Sequence, residues 1–152
     1  MAVTFAQAVE IDARPEQVWA LLCDAAKWPL WITQLERIEG MAEVVAGATF
    51  QWRHGDQHGT GAVLDVDEGR SILKLATRLG DDERTHTFDL DRAGGFLGIG
   101  ANDSRVRYTY AYDPPGGLLG DFVVGGNPAD ALLVKNTLHK LKGLAEAGGR
   151  NG

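Results

Sequence analysis

Residues 9–31 read Val9-Glu10-Ile11-Asp12-Ala13-Arg14-Pro15-Glu16-Gln17-Val18-Trp19-Ala20-Leu21-Leu22-Cys23-Asp24-Ala25-Ala26-Lys27-Trp28-Pro29-Leu30-Trp31, and they hold three of the chain's four tryptophans. Leading into this stretch, Phe5, Gln7, Val9 and Ile11 alternate with Ala6, Ala8, Glu10 and Asp12, the period of two expected of a strand with one buried face. Pro15 stops that strand. It suits the first turn of a helix, where its missing N–H has no partner to lose, and Glu16 beside it complements the positive end of the helix dipole. Val18, Trp19, Leu21, Leu22 and Ala25 give this helix one apolar side. Trp28-Pro29 is expected to break it, because a residue before proline is biased away from helical geometry. A second short helix through Trp31, Ile32 and Leu35 then follows at an angle.

Downstream, residues 47–54, 58–67, 71–79, 84–91 and 104–112 carry strand signals. Three separators, His54-Gly55-Asp56-Gln57, Asp67-Glu68-Gly69-Arg70 and Gly80-Asp81-Asp82-Glu83, contain the Gly and Asp that tight hairpins require. Short successive connections predict an antiparallel meander, and residues 36–45 supply one more short strand, for six or seven in all. The C-terminal element reads as a long helix: Asn127 as cap, Pro128 in the first turn, Asp130 against the dipole, Gly148-Gly149 at the end. Leu133, Val134, Thr137, Leu138, Leu141, Leu144 and Ala145 form its apolar face. About twenty residues span ~30 Å, enough to lie across a whole sheet.

With the segment from Val9 to Asp24 and the pair Trp28 and Trp31, the chain resembles the opening of the START-like (SRPBCC) superfamily in its polyketide cyclase/dehydrase and lipid-transport branch. Gly47-Ala48-Thr49-Phe50-Gln51-Trp52-Arg53 is similar to that family's first long hairpin strand, and Leu138-His139-Lys140-Leu141-Lys142-Gly143-Leu144-Ala145-Glu146 to its final helix. The resemblance covers essentially the whole chain. It implies an α+β helix-grip fold, in which a curved antiparallel sheet wraps a long C-terminal helix and two short helices follow the first strand. It also implies a cavity between sheet and helix.

At 152 residues, 44% hydrophobic and 24% charged, the chain has the size of one domain with a substantial core. A single domain over residues 1–148 and a frayed tail at 149–152 are expected. The opening MAVTFAQAVEID lacks the basic start of a signal peptide, and no apolar run approaches the ~20 residues of a spanning helix. A cytoplasmic location is the expectation. The lone Cys23 excludes an internal disulfide and reads as a buried thiol in the first helix. A net charge of −6 opposes nucleic acid as a partner, because phosphate binding draws on a basic surface.

Candidate chemistry follows from the strand faces. If Phe50 points inward, so does Trp52, and so does His54 if the strand extends that far; His86, Phe88 and Leu90 share a face, as do Val106, Tyr108, Tyr110 and Tyr112. This wall is aromatic with a few polar tips and suits a small hydrophobic or aromatic ligand. The candidate ligand-binding set is Trp31, Phe50, Trp52, Phe88, Phe122, Leu133 and Leu138, with plain core filling as the alternative for each. His86 is the candidate general base or acid. In a cyclase it would remove a proton α to a ketone while Tyr108 or Tyr110 bonds the enolate oxygen; a buried structural histidine is the competing reading. No nucleophile or oxyanion motif accompanies it.

His54, Asp56 and His58 could converge on a metal only if the segment were extended, and Gly55-Asp56 reads instead as a turn. Neither metal nor cofactor is expected. The glycine-rich residues 94–100 lack the spacing and the βαβ setting of a phosphate loop. Their Phe96, Leu97 and Ile99 read as a flap over the cavity mouth or a contact with another protein, and the apolar loop 114–126 as a gate or plain packing against the sheet. Ligand binding is thus the expected function, with a cyclase/aromatase and a protein-interaction module of the chaperone-ATPase-activator type as competitors.

Overall fold

The computed structural model describes residues 3–93, 103–113 and 128–151. Strand β1 (Val3–Ile11) is followed by helix α1 (Pro15–Leu22), a 3-10 turn (Ala25–Lys27) and helix α2 (Trp28–Trp31). Strands β2 (Arg37–Glu39), β3 (Thr49–His54), β4 (Gln57–Asp67), β5 (Ile72–Leu79), β6 (Asp82–Ala93) and β7 (Asp103–Tyr112) precede the long helix α3 (Pro128–Asn151). The seven strands form one antiparallel sheet in the order β1-β7-β6-β5-β4-β3-β2. The meander runs outward from β7 to β2, and β1 closes on β7. This is the expected α+β helix-grip arrangement, with seven strands.

The helical break falls earlier than the sequence reading puts it. α1 ends at Leu22, the Asp24 carboxylate accepts from the Ala26 N–H at 3.2 Å to cap the 3-10 turn, and Trp28 sits in helical geometry. Pro29 therefore opens α2 instead of ending α1, since proline costs no hydrogen bond in a helix's first turn. The Trp28 indole N–H donates to the Leu22 carbonyl at 2.8 Å, satisfying one of the orphan acceptors at the end of α1. α3 likewise runs to Asn151, past Gly148-Gly149, because two glycines at ~1 kcal/mol each weaken a helix without ending it.

α3 lays Val134, Thr137, Leu138, Leu141 and Ala145 into the core. Two ties fix it. Thr137 Oγ1 accepts from the Thr33 N–H at 3.3 Å and donates to Thr33 Oγ1 at 2.9 Å. Lys142 Nζ donates to the Glu10 carbonyl at 2.9 Å, while the Glu146 carboxylate accepts from the Asp12 N–H at 2.9 Å. The same end of β1, where the chain turns towards α1, is also pinned by the buried Ser104 Oγ, which donates to the Ala13 carbonyl at 2.7 Å. Ser104→Ala leaves that carbonyl buried and unpaired, so a loss of about 1–2 kcal/mol in a urea titration is expected.

The interior is filled where the sequence reading allows a cavity. The two tryptophans of the kinked helices insert over the sheet, Trp28 edge-on to Phe50 at 5.5 Å and Trp31 edge-on to Phe88 at 5.0 Å between ring centroids. All four rings are buried. The loops 94–100 and 114–126, with Phe122 and Asn127, lie outside the described residues.

Candidate functional site

Period two on β5 and β6 brings the polar groups of the inner face together. Leu73, Leu75 and Thr77 share that face on β5, and register pairs Leu75 with His86 and Thr77 with Arg84. On β7, Tyr108, Tyr110 and Tyr112 lie opposite Phe88, His86 and Arg84. The outcome is a polar patch at the end of the sheet that carries the β3–β4 and β5–β6 hairpins.

Arg84 is its hub. Its Nε and Nη2 donate to Asp82 Oδ2 at 3.1 and 2.9 Å, and its Nη1 donates to the Tyr110 hydroxyl at 2.6 Å and lies 3.5 Å from Asp130 Oδ1 in the first turn of α3. The guanidinium carbon sits 4.0 Å from the centre of the Tyr112 ring, within cation–π range. Burial opposes this charge, but the bonds to Asp82 and Tyr110 hold the guanidinium protonated. Tyr112 donates to Asp130 Oδ2 at 2.5 Å. Burial first, then the Asp130 carboxylate, pushes the Tyr112 phenol up to about 12. Gln34, on the segment after α2, donates through Nε2 to the Tyr110 hydroxyl at 3.0 Å.

His86 lies one layer deeper and is 1% exposed. Its Nε2 is 2.9 Å from Thr77 Oγ1 and its Nδ1 is 2.6 Å from the Tyr108 hydroxyl. Burial, aided by the Arg84 cation, pushes the imidazole down to about 3, so it is neutral. Burial likewise raises the Tyr108 phenol well above its ordinary value, with Tyr110 and Asp130 adding to the effect. Of the three residues proposed for catalysis, His86 and Tyr108 are hydrogen-bonded to each other, while Tyr110 packs against both rings and bonds instead to Arg84 and Gln34.

A recess of about 260 Å³ opens beside this cluster, lined by Gln34, Trp52, His54, Gln57, Thr77, Leu79, Asp82 and Arg84. Of the seven ligand-binding candidates, Trp52 lines it, with its indole N–H held by the Thr60 carbonyl at 2.9 Å. Trp31, Phe50, Phe88 and Leu138 are packed in the core, and Leu133 lies half-buried at its margin. His54 is exposed at the rim. Gly55, at φ 58°, turns the chain so that His54 pairs with Gln57 and His58 with Arg53. Two broader grooves of about 480 and 450 Å³ are lined chiefly by side chains such as Glu39, Gln51 and Arg78. These three are exposed, and it is the smaller recess that Gln34 and the Arg84 cluster border.

Gln34, Thr77 and Arg84 are the residues that sequence reasoning missed. The alternation that turns His86 and Phe88 inward also turns Arg84 inward, and the same holds for Thr77 beside Leu73 and Leu75, so both were within reach. Gln34 lies on a segment without periodicity and gave no such signal. Two buried atoms have no partner among the described residues: Gln34 Oε1 and Trp31 Nε1.

The family model described as polyketide cyclase/dehydrase and lipid transport matches residues 2–146. No curated protein matches the chain. Solved structures of the same fold include norcoclaurine synthase from Thalictrum flavum, 12% identical with a TM-score of 0.64 over 95% of this chain and 86% of that one. The same synthase in complex with dopamine and hydroxybenzaldehyde is 12% identical, with a TM-score of 0.63 over 93% and 86%. A protein from Nitrosospira multiformis is 9% identical, with a TM-score of 0.68 over 97% and 99%. At these identities the neighbours establish the fold, and it is the family model, spanning nearly the whole chain, that settles membership: the chain belongs to the polyketide cyclase/dehydrase and lipid-transport family of the START-like superfamily.

Proposed function

We propose that this chain, acting as one domain over residues 1–148, binds a small hydrophobic or aromatic molecule of polyketide-like or lipid-like character in the recess at the hairpin end of the sheet, beside the segment after α2. The observation that carries this reading is the recess of about 260 Å³ whose wall combines Trp52 and Leu79 with Gln34, Thr77 and Arg84. Drug-sized ligands occupy roughly 300–1,000 Å³, so the occupant of this recess is a one- or two-ring molecule or the end of a chain. Trp52 is the stacking surface, and Gln34, Thr77 and Arg84 are the polar contacts.

Binding is preferred to His86-based proton abstraction. Both ring nitrogens of His86 are engaged, and Thr77, not His86, borders the recess. The test is a titration of the full chain with 2-naphthol and with dodecanoate, read by backbone amide shifts. Saturable binding of 2-naphthol is expected, weakened about tenfold in Trp52→Leu through the loss of ring stacking. Saturation by dodecanoate alone would make the ligand lipid-like. No saturable response to either would overturn the binding reading in favour of the protein-interaction one.

A further inference from the structure

We infer that Thr77 presents a hydrogen-bond donor to the recess, held in that polarity by the buried pair Tyr108 and His86, so that the bound molecule must offer a carbonyl-type acceptor there. The inference rests on the recess being the ligand site and names what that site selects.

Tyr108 is fully buried and stacked on Phe88, with ring centroids 4.5 Å apart. Its hydroxyl carries a proton that needs an acceptor, and among the described residues the hydrogen-bond partner of that hydroxyl is His86 Nδ1, at 2.6 Å. A buried donor left unpaired is costly, so Tyr108 donates and Nδ1 accepts. A neutral imidazole has one N–H, which is thereby placed on Nε2. Nε2 then donates to Thr77 Oγ1 at 2.9 Å. With its oxygen engaged by that N–H, the Thr77 hydroxyl retains its own proton for another acceptor, and Thr77 borders the recess.

The neutrality of His86 follows from where it sits: it is buried and shares its face with the Arg84 cation. A charged imidazole would donate from both nitrogens and leave the Tyr108 proton without an acceptor. His86 is therefore a positioning residue that acts through Thr77 and does not touch the ligand. A site built this way discriminates against an analogue that lacks the acceptor, because the donor is left unsatisfied when that analogue binds.

The test has two arms on the full chain. In ligand-free protein, long-range ¹⁵N–¹H spectra of the imidazoles report the tautomer of each histidine, and His86 is assigned as the ring whose signals are lost in His86→Gln. The expected form carries its proton on Nε2, with Nδ1 bare. A proton on Nδ1, or a His86 that becomes charged in that range, would overturn the inference whatever binds.

The second arm compares 1-indanone with indane, which differ in a carbonyl oxygen. The wild-type chain is expected to prefer 1-indanone about tenfold, the scale of one neutral hydrogen bond. Thr77→Val should bring the ratio near one, and Thr77→Ser should retain it. Equal wild-type affinities, or a preference that survives in Thr77→Val, would overturn the donor role while leaving the recess as the ligand site. Failure of both probes to bind would overturn the ligand site itself, and with it the donor role.

Discussion

The stability of the protein should fall steeply as pH drops below about 6.5, and His86→Gln should flatten most of that fall. The ordinary value for the imidazole is 6.5, and in the fold burial and the Arg84 cation push it down to about 3. Between these two values the unfolded chain binds a proton that the native chain refuses. Stability is then complete above the unfolded value and is lost progressively down to the folded one, at up to ~1.4 kcal/mol per pH unit. Over the whole window the loss amounts to roughly 4–5 kcal/mol, a large share of the ~5–15 kcal/mol of a typical domain. The other histidines, His54, His58 and His139, are exposed.

Glutamine offers one acceptor and one donor in place of the two ring nitrogens, and it does not titrate. The variant should be less stable than wild type at pH 7.5 yet lose much less between pH 6.5 and 4.5, measured as urea midpoints. Carboxylates add their own slope near the acid end, equally in both proteins. Parallel curves for the two proteins would show that His86 is not held neutral by the fold.

Much of the architecture behind this behaviour was legible because it rests on local chemistry. Alternation over Phe5 to Asp12, glycine and aspartate at three hairpin separators, and proline at the heads of α1 and α3 each act within a few residues. The site was legible only by face. A period of two tells that Phe50, Phe88 and His86 point inward, but not what they meet there. Whether they meet a cavity or Trp28 and Trp31 depends on how α2 is set across the sheet. That is decided by the Asp24 cap, the Trp28–Leu22 bond and the threonine pair between the segment after α2 and α3. These links join residues up to 104 positions apart. The polar recess therefore emerged at the hairpin end of the sheet, while the aromatic wall became core.

The sharpest packing result is expected on β4, where Gly59→Ala should destabilise far more than its single added methyl implies. A Cβ at Gly59 would stand 2.1 Å from the Arg78 carbonyl oxygen and 2.7 Å from the Trp52 ring. The first neighbour is backbone on β5, in Arg78, which pairs with Thr60 at the end of the ladder away from the β4–β5 turn, so it yields only by parting the two strands there. A cost of about 3 kcal/mol or more is expected, at the upper end for overpacking, with Tm lowered by roughly 10 °C. Gly61→Ala makes the informative contrast. There the three atoms nearest the Cβ all belong to the Phe50 ring, the first at 2.2 Å, and a side chain can be exchanged. Phe50→Leu in the Gly61→Ala background should therefore recover part of the loss, whereas Trp52→Leu should recover little in Gly59→Ala because the carbonyl clash remains. Thermal melts of the four proteins decide the matter: full rescue of Gly59→Ala by Trp52→Leu would mean that the indole, not the strand, sets the constraint. The glycine would then serve to let Trp52 lie flat on the sheet, and its loss would be felt first at the recess wall instead of in the fold.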